Sequence, residues 1–193
     1  MRPLSRYDPA MPTPHPWHIA DRAIAFKARR WQVERSLRRP PGSADSHEFF
    51  TLRMPDFVQV IAVTPADELV MVRQFRHGVE SVRLEFPGGL LDPGESPAAA
   101  AARELLEETG YTTDALTELP LIHPAAALQN NRSWFFVGRN ARRQASQHLE
   151  ETEDIAVELV PRSQALARIR AGEITDANHL AGLLLFLSLH PEP

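Results

Sequence analysis

The sequence contains no cysteine among its 193 residues. A disulfide, a thiolate nucleophile and a cysteine-ligated zinc or iron–sulfur site are therefore excluded. A bound metal ion would have to be held by oxygen or imidazole, and Asp and Glu outnumber His by 25 to 8. Any metal site in this chain is accordingly expected to be built mainly from carboxylates.

Long apolar runs and an excess of positive charge are also missing. The longest apolar stretch, residues 181–189, is far shorter than the roughly 20 residues that span a bilayer, and residues 1–17 lack the apolar run of a signal peptide. The formal net charge of −4 argues against a protein that coats nucleic acid. We expect a cytoplasmic protein with neither a membrane nor nucleic acid as its partner.

Proline and turn residues divide the chain into two parts. Residues 1–16 hold five of the 17 prolines and predict an irregular arm. Short extended segments at 24–26 and 49–52 follow, interrupted by a turn signal at 38–42. We therefore predict an N-terminal arm with a small β-sheet subdomain over residues 1–56, and a main domain over residues 57–193.

The main domain mixes strands and helices. Runs rich in β-branched residues predict strands at 57–63, 68–75, 84–86, 132–137 and 155–159, the first two joined as a hairpin. Helices are predicted at 97–109, 162–171 and 177–189. Because the strands and helices do not alternate regularly, the fold class predicted is α/β in the broad α+β sense, a sandwich and not a Rossmann fold.

The helix at 97–109 carries three carboxylates on one face. Glu104, Glu107 and Glu108 stand at i, i+3 and i+4, near the negative end of the helix dipole, where each is unfavourable. A divalent cation would compensate for this repulsion, since hard cations prefer carboxylate oxygens. The alternative is a solvated acidic face on which Arg103 pairs with Glu107.

The segment that contains this helix resembles the Nudix box. The box consists of a Gly, five residues, a Glu, seven residues, Arg-Glu, an aliphatic residue, any residue, Glu-Glu, any residue, a Gly and an aliphatic residue. Every spacing is kept, and the single departure is Tyr111 at the final aliphatic position. The matching positions are Gly89, Glu95, Arg103, Glu104, Leu105, Glu107, Glu108 and Gly110. The resemblance implies a Nudix-type α/β/α sandwich with a mixed sheet.

The resemblance also implies roles for the box residues. Glu104, Glu108 and the carbonyl of Gly88 would hold Mg²⁺, for which Mn²⁺ could substitute, with Glu107 assisting. Arg103 would hold a box glutamate in place, and Glu95 would brace the loop before the helix. Cations so held would neutralise the charge of a pyrophosphate and lower the pKa of an attacking water.

Residues on either side of the box resemble the ADP-ribose and nucleoside-diphosphate-sugar pyrophosphatase branch of the family. The segment 73–76 is similar to its Gln-aromatic-Arg segment, and 84–89 to its Leu-Glu-x-Pro-Ala-Gly. By this resemblance Arg76 would contact a substrate phosphate. Glu85 would recognise substrate or support the site, the alternative being a buried ion pair with an arginine.

A second branch feature lies near the end of the chain. The acidic segment 149–155 resembles the loop that this branch places over the metals. Glu151 matches the residue proposed as general base and Glu153 a further metal ligand, while Glu150 is an alternative base. A solvated acidic loop is the other interpretation.

The chain departs from the branch after the box, where residues 123–132 replace its Pro-Ser-Pro-Gly segment and a following Glu. A polar cluster stands there instead, and we predict that Asn131 or Arg132 contacts the distal phosphate or sugar. Members of the branch pair as dimers through the N-terminal sheet and often stack the base on aromatic side chains there. Phe26 and Trp31 are candidates for that contact, although core or interface packing is their alternative fate.

The leading hypothesis is metal-dependent hydrolysis of ADP-ribose or a related nucleoside-diphosphate sugar to a nucleoside monophosphate and a sugar phosphate. One alternative is a Nudix hydrolase for another nucleotide, such as a dinucleoside polyphosphate, NADH or a nucleoside triphosphate. A second is a non-catalytic nucleotide-sensing module, a class that tends to lose box glutamates; this chain has lost none.

Overall fold

A computed structural model describes residues 14–189 of the chain. The first 13 residues of the predicted arm lie outside this range. Contacts divide the chain into two compact units, one ending at Arg53 and the other beginning at Met54. None of the helices described between residues 14 and 189 is long and apolar enough to cross a membrane.

The first unit is a three-stranded antiparallel sheet in the order β1-β2-β3. Its strands are β1 (His18–Lys27), β2 (Gln32–Arg39) and β3 (His47–Arg53), longer than the short segments that the sequence predicts. Glu34 of the central strand is buried and pairs with Arg22 at 3.2 Å and Arg53 at 2.7 Å. Every residue of β1 is exposed.

The second unit is built on a six-stranded mixed sheet. Along its main path the strand order is β11-β5-β4-β9-β8, with β6 paired to the end of β5. The pair β4–β9 is parallel and the other pairs are antiparallel. The strands are β4 (Phe57–Val63), β5 (Glu68–Arg76), β6 (Ser81–Glu85), β8 (Leu116–Glu118), β9 (Ser133–Gly138) and β11 (Ile155–Pro161). A two-stranded ladder joins β7 (Tyr111–Thr112) to β10 (Arg142–Arg143).

The helices cover both faces of this sheet. They are α1 (Pro97–Thr109), α2 (Ala165–Arg170), preceded by a short 3₁₀ turn (Arg162–Gln164), and α3 (Ala177–Leu189). Because side chains alternate along a strand, Val60 and Ala62 join the cluster that contains Leu105 of α1, whereas Ile61 joins the cluster that contains Phe186 of α3. The sheet is therefore enclosed between α1 and α3, as a sandwich requires.

Candidate active site

Helix α1 begins and ends where the sequence predicts. Ser96 is the N-cap, and its hydroxyl accepts a hydrogen bond from the Ala99 backbone N–H at 3.3 Å, with Pro97 opening the first turn. Gly110 ends the helix with a φ of 74°, and its N–H donates to the Leu106 carbonyl at 2.8 Å. These two caps fix the ends of the helix that carries the box carboxylates.

Arg103 connects the carboxylates of the box and is referred to as its hub. Its guanidinium donates two hydrogen bonds of 2.9 Å to the carboxylate of Glu95. It also donates to Glu104 at 2.9 Å and to Glu107 at 3.0 Å. The loop before the helix is thus bound to the acidic face of the helix through one side chain. The pairing of Arg103 with Glu107, which the sequence offers as a purely structural alternative, is part of this same hub.

Two glycines allow the loop to approach closely. A Cβ at Gly88 would lie 2.1 Å from the Val58 carbonyl oxygen, and one at Gly89 would lie 2.3 Å from Oε1 of Glu104. The Gly88 N–H donates to the Glu108 carboxylate at 2.8 Å. Only glycine fits at position 88, since any side chain would displace the backbone of β4, and a side chain at position 89 would displace the Glu104 carboxylate.

The carboxylates of Glu104 and Glu108 are buried, 8% and 4% exposed. Burial raises the pKa of Glu108 to about 8, with a further upward contribution from the charges of Glu104 and Glu153 and an opposing one from the Gly88 hydrogen bond. Burial also raises the pKa of Glu104, although Arg103 works against it. Two desolvated carboxylates close to a third are an arrangement that a cation would stabilise.

The acidic loop is attached to the end of α1 through contacts that the sequence does not reveal. The side-chain amide of Gln147 donates to the carbonyls of Glu108 at 2.6 Å and Ile155 at 3.0 Å, and the His148 N–H donates to the Glu107 carbonyl at 2.8 Å. Within the loop, the Glu150 N–H donates to the Glu153 carboxylate at 2.8 Å.

This attachment decides which loop acids approach the box. Glu153 is half-buried and near enough to influence the pKa of both Glu104 and Glu108. Glu150 and Glu151 are exposed. The loop therefore brings the Glu153 carboxylate towards the box, whereas Glu150, Glu151 and Asp154 are exposed.

Arg76, Glu85 and His179 form a polar cluster beside the box, in which Glu85 and His179 are buried and Arg76 is exposed. Glu85 is 3% exposed and accepts hydrogen bonds from Arg76, one of them at 2.9 Å, with His179 Nε2 3.4 Å away. Burial pushes the pKa of Glu85 upward, but hydrogen bonds from His179 and Arg76 outweigh it and lower the pKa to about 2. Glu85 is thus charged, and the ion pair with an arginine that the sequence offers as an alternative is present.

His179 was not among the residues that the sequence singles out. Its Nδ1 accepts the Phe86 backbone N–H at 3.2 Å, which leaves the ring proton on Nε2, facing Glu85. The side chain is 4% exposed and comes from the first turns of α3. It thereby ties α3 both to Glu85 and to the loop that carries Gly88.

A cavity of about 510 Å³ opens beside these three side chains. Its walls come from β4, the end of β5, β6, the loop at 86–90 and the start of α3, and they include Arg76, Glu85, Gly88 and His179. A cavity of this volume lies within the range of small-molecule sites. The buried carboxylates of Glu104 and Glu108, the ion pair of Arg76 with Glu85, and the cavity therefore all lie beside the loop between β6 and α1.

The family model for the NUDIX domain matches residues 54–180. An ADP-ribose pyrophosphatase of Bacillus subtilis (strain 168) is 33% identical to this chain over 139 residues, which are 72% of this chain and 74% of the relative. The chain belongs to the Nudix family. The predictions of a Nudix hydrolase and of an α/β/α sandwich are both confirmed.

Other relatives of this chain carry different names. A methanol dehydrogenase activator of Bacillus methanolicus is 30% identical over 139 residues, again 72% of this chain and 74% of the relative. A crystal structure of an ADP compounds hydrolase superposes with a TM-score of 0.79 at 23% identity, covering 93% of this chain and 98% of that one. At this identity the likeness concerns the fold alone.

Nudix hydrolases depend generally on metal ions, and the donors in this chain fit one. Within residues 14–189 no three His, Asp or Glu side chains are already gathered as a metal site. The carboxylates of Glu104 and Glu108 are nevertheless buried beside the Gly88–Gly89 backbone, and Glu153 influences both. Carboxylate and carbonyl oxygens are the ligands of a hard divalent cation.

The remaining sequence candidates lie outside the cavity lining. Arg132 bonds to Asp56 through its backbone N–H at 2.8 Å and its guanidinium at 2.7 Å, and stacks 5.0 Å above the Trp134 ring. Asn131 is 1% exposed, and neither atom of its amide has a hydrogen-bond partner among the described residues. In the first unit Phe26 and Trp31 contact each other, with ring centroids 5.5 Å apart.

Proposed function

We propose that this protein hydrolyses the pyrophosphate bond of ADP-ribose or a related nucleoside-diphosphate sugar. The oxygen of a water molecule bonds to one phosphorus, and the bridging oxygen leaves with the electron pair of the broken P–O bond. The products are a nucleoside monophosphate and a sugar phosphate. Among the relatives, the ADP-ribose pyrophosphatase of Bacillus subtilis favours this substrate class.

One observation carries the proposal. The buried carboxylates of Glu104 and Glu108 lie beside Gly88, whose loop also lines the cavity that contains Arg76. A binding site for a cation and a binding site for an anion thus adjoin within one loop. A diphosphate is a ligand that uses both.

Glu104, Glu108, Glu153 and the Gly88 carbonyl are the proposed ligands of Mg²⁺, which Mn²⁺ could replace. When bound, the cation supplies charge neutralisation and a lowered pKa for water. Arg103 holds Glu104 and Glu107 in position for this task.

The exposed carboxylate of Glu151 is the proposed base that accepts the proton of the attacking water, with Glu150 as the alternative. Arg76 is proposed to bind a phosphate oxygen through its donors not taken by Glu85, whose charge keeps the guanidinium oriented.

Contacts to the rest of the substrate are also proposed. The unpaired amide of Asn131 supports a role in binding the distal phosphate or sugar, and Arg132 stands next to it. Phe26, which is 55% exposed, and Trp31 are proposed to stack on the base.

A substrate panel tests the proposal. Purified protein with Mg²⁺ is given ADP-ribose, nucleoside-diphosphate sugars, NADH and dinucleoside polyphosphates, and released monophosphate is measured. We expect the highest kcat/KM with ADP-ribose or a nucleoside-diphosphate sugar. A higher value with another class would assign the other Nudix substrates, and background turnover throughout would assign a sensing module.

We further propose that the N-terminal region, residues 1–56, pairs two copies into a homodimer, while residues 57–193 form the hydrolase. The support is the exposed apolar surface of the first unit, which includes Phe26, Phe49 and Phe50. A cytoplasmic location stays a prediction, as does the absence of a nucleic-acid or membrane partner.

A further inference from the structure

Arg83 is a second arginine in the wall of the cavity, besides Arg76. It lies in β6, two residues before Glu85, and lines the same cavity as Arg76. Its Nε is buried without a hydrogen-bond partner among the described residues, and no carboxylate there lies within ion-pair distance of it. Arg76, in contrast, is neutralised by Glu85.

Strand register places these charges on one face. In the β5–β6 pair, Arg83 stands opposite Gln74 and Arg76 opposite Ser81. Because side chains alternate along a strand, Arg83 and Glu85 of β6 share a face with Arg76 of β5. This face therefore presents two guanidiniums and one carboxylate to the cavity, and Asp176 at the start of α3 adds a second carboxylate to the lining.

A buried N–H of a charged group that lacks a partner is unfavourable unless a ligand satisfies it. A guanidinium fork is matched best by a phosphate or a carboxylate. We propose that Arg83 binds a phosphate oxygen of the substrate, as a second guanidinium beside Arg76. The proposal rests on the proposed function and adds a residue that determines affinity for the diphosphate.

Kinetics of matched variants test this role. We expect Arg83→Gln to raise KM for ADP-ribose by about tenfold or more, because one charged hydrogen bond to the substrate is lost. The kcat should change little. Arg83→Lys, which keeps the charge but not the fork, should lie between this variant and the wild type. Arg170→Gln, on the exposed end of α2, should match the wild type. An unchanged KM in Arg83→Gln would overturn the proposal.

A binding measurement separates this proposal from the proposed function. The Nε–H resonance of Arg83, assigned by its absence from Arg83→Lys, is followed by NMR while inorganic pyrophosphate is added to metal-free protein at constant ionic strength. We expect it to shift, and more than the resonance of Arg170. An unmoved resonance would overturn the role of Arg83. The same result is expected if Arg83 pairs with a second copy of the chain, so that outcome would also overturn the role. Because no turnover is needed, the result stands even if ADP-ribose is not hydrolysed.

Discussion

At the scale of single residues, Glu108 is a carboxylate kept in a place that disfavours its charge. It is 4% exposed, and burial raises its pKa to about 8. One backbone hydrogen bond, from Gly88, compensates only in part. Such a residue opposes the stability of the metal-free protein, and its presence is explained by the ligand that it is proposed to hold.

Replacing Glu108 with Gln separates the effect of its buried charge on stability from its proposed role as a metal ligand. The amide oxygen of Gln still accepts the Gly88 N–H, but no charge is buried. We expect kcat to fall by about 10²–10³-fold, as for loss of one main electrostatic contact, while the Tm of the metal-free protein stays equal or rises. Enzyme assays and thermal unfolding with chelator check both. Wild-type turnover, or a large drop in Tm, would refute the role of Glu108 as a ligand.

The pKa of Glu85 is lowered, whereas that of Glu108 is raised, so the effect of Glu85 on stability depends on pH in the opposite sense. Its pKa falls from 4.5 to about 2 on folding, so its ionised form stabilises the folded state above pH 4.5. This contribution, about 3 kcal/mol from the shift, is lost as pH falls from 4.5 towards 2.

Urea unfolding of wild type and Glu85→Gln at pH 7, 5 and 3 checks this effect. We expect Glu85→Gln to be less stable at pH 7 and pH 5, with the difference in unfolding free energy shrinking at pH 3. A difference of the same size at all three values would show that the charge of Glu85 is not responsible.

At the scale of elements, α3 reaches the site through one imidazole. His179 accepts from the Phe86 N–H and faces Glu85 with its ring proton. The two contacts lead to different parts of the site, since Phe86 begins the loop with Gly88 whereas Glu85 orients Arg76. We expect His179 to act as a positioning residue for both.

Two amide variants of His179 test these contacts separately. Asn can place an oxygen where Nδ1 accepts from Phe86, and Gln can place an N–H where Nε2 faces Glu85. We expect His179→Asn mainly to raise KM, because Arg76 loses its support. His179→Gln should mainly lower kcat, because the Gly88 loop is loosened. Equal effects of both variants on kcat and KM would indicate a merely structural role.

The elements differ in how far the sequence predicts them. The bounds of α1 follow from local chemistry, since Ser96, Pro97 and Gly110 each act within one turn of the helix. Most of the main sheet follows in the same way from its β-branched runs. In the first unit the segments predicted at 24–26 and 49–52 cover only parts of β1 and β3, and none was predicted within β2. The strand β1 is exposed along its whole length and gives no alternating apolar pattern.

The residues of the candidate site also differ in how far the sequence predicts them. The box residues are adjacent in sequence, so their common face is predictable from helix geometry. His179 lies 93 residues from its partner Phe86, and Gln147 lies 39 residues from Glu108. Only the packing of α3 and of the acidic loop onto the sheet brings these residues together, and no local pattern encodes that packing.

At the scale of the whole molecule, the two units have different surfaces. The second unit has a core of apolar side chains between its helices, whereas the first exposes Phe26 in β1 and Phe49 and Phe50 in β3. Exposed apolar surface of this kind is typical of an interface.

Charge placed on that surface tests the proposed homodimer. Phe50 is 51% exposed in β3, and Phe50→Glu should shift sedimentation from dimer to monomer, because a carboxylate buried in an interface is left unpaired. Leu184→Glu, at a position that is 69% exposed in α3, is the control and should sediment as wild type. A wild-type protein that sediments as a monomer at every concentration would contradict the proposed pairing.

The central claim is that the buried carboxylates of α1 act by holding a divalent cation beside a diphosphate. The most direct measurement is the hydrolysis of ADP-ribose by metal-stripped protein as Mg²⁺ is added and then removed by excess chelator. The account predicts that monophosphate release rises from background to saturation with Mg²⁺ and returns to background with chelator. Turnover that is the same with Mg²⁺, without it and with chelator would contradict the account.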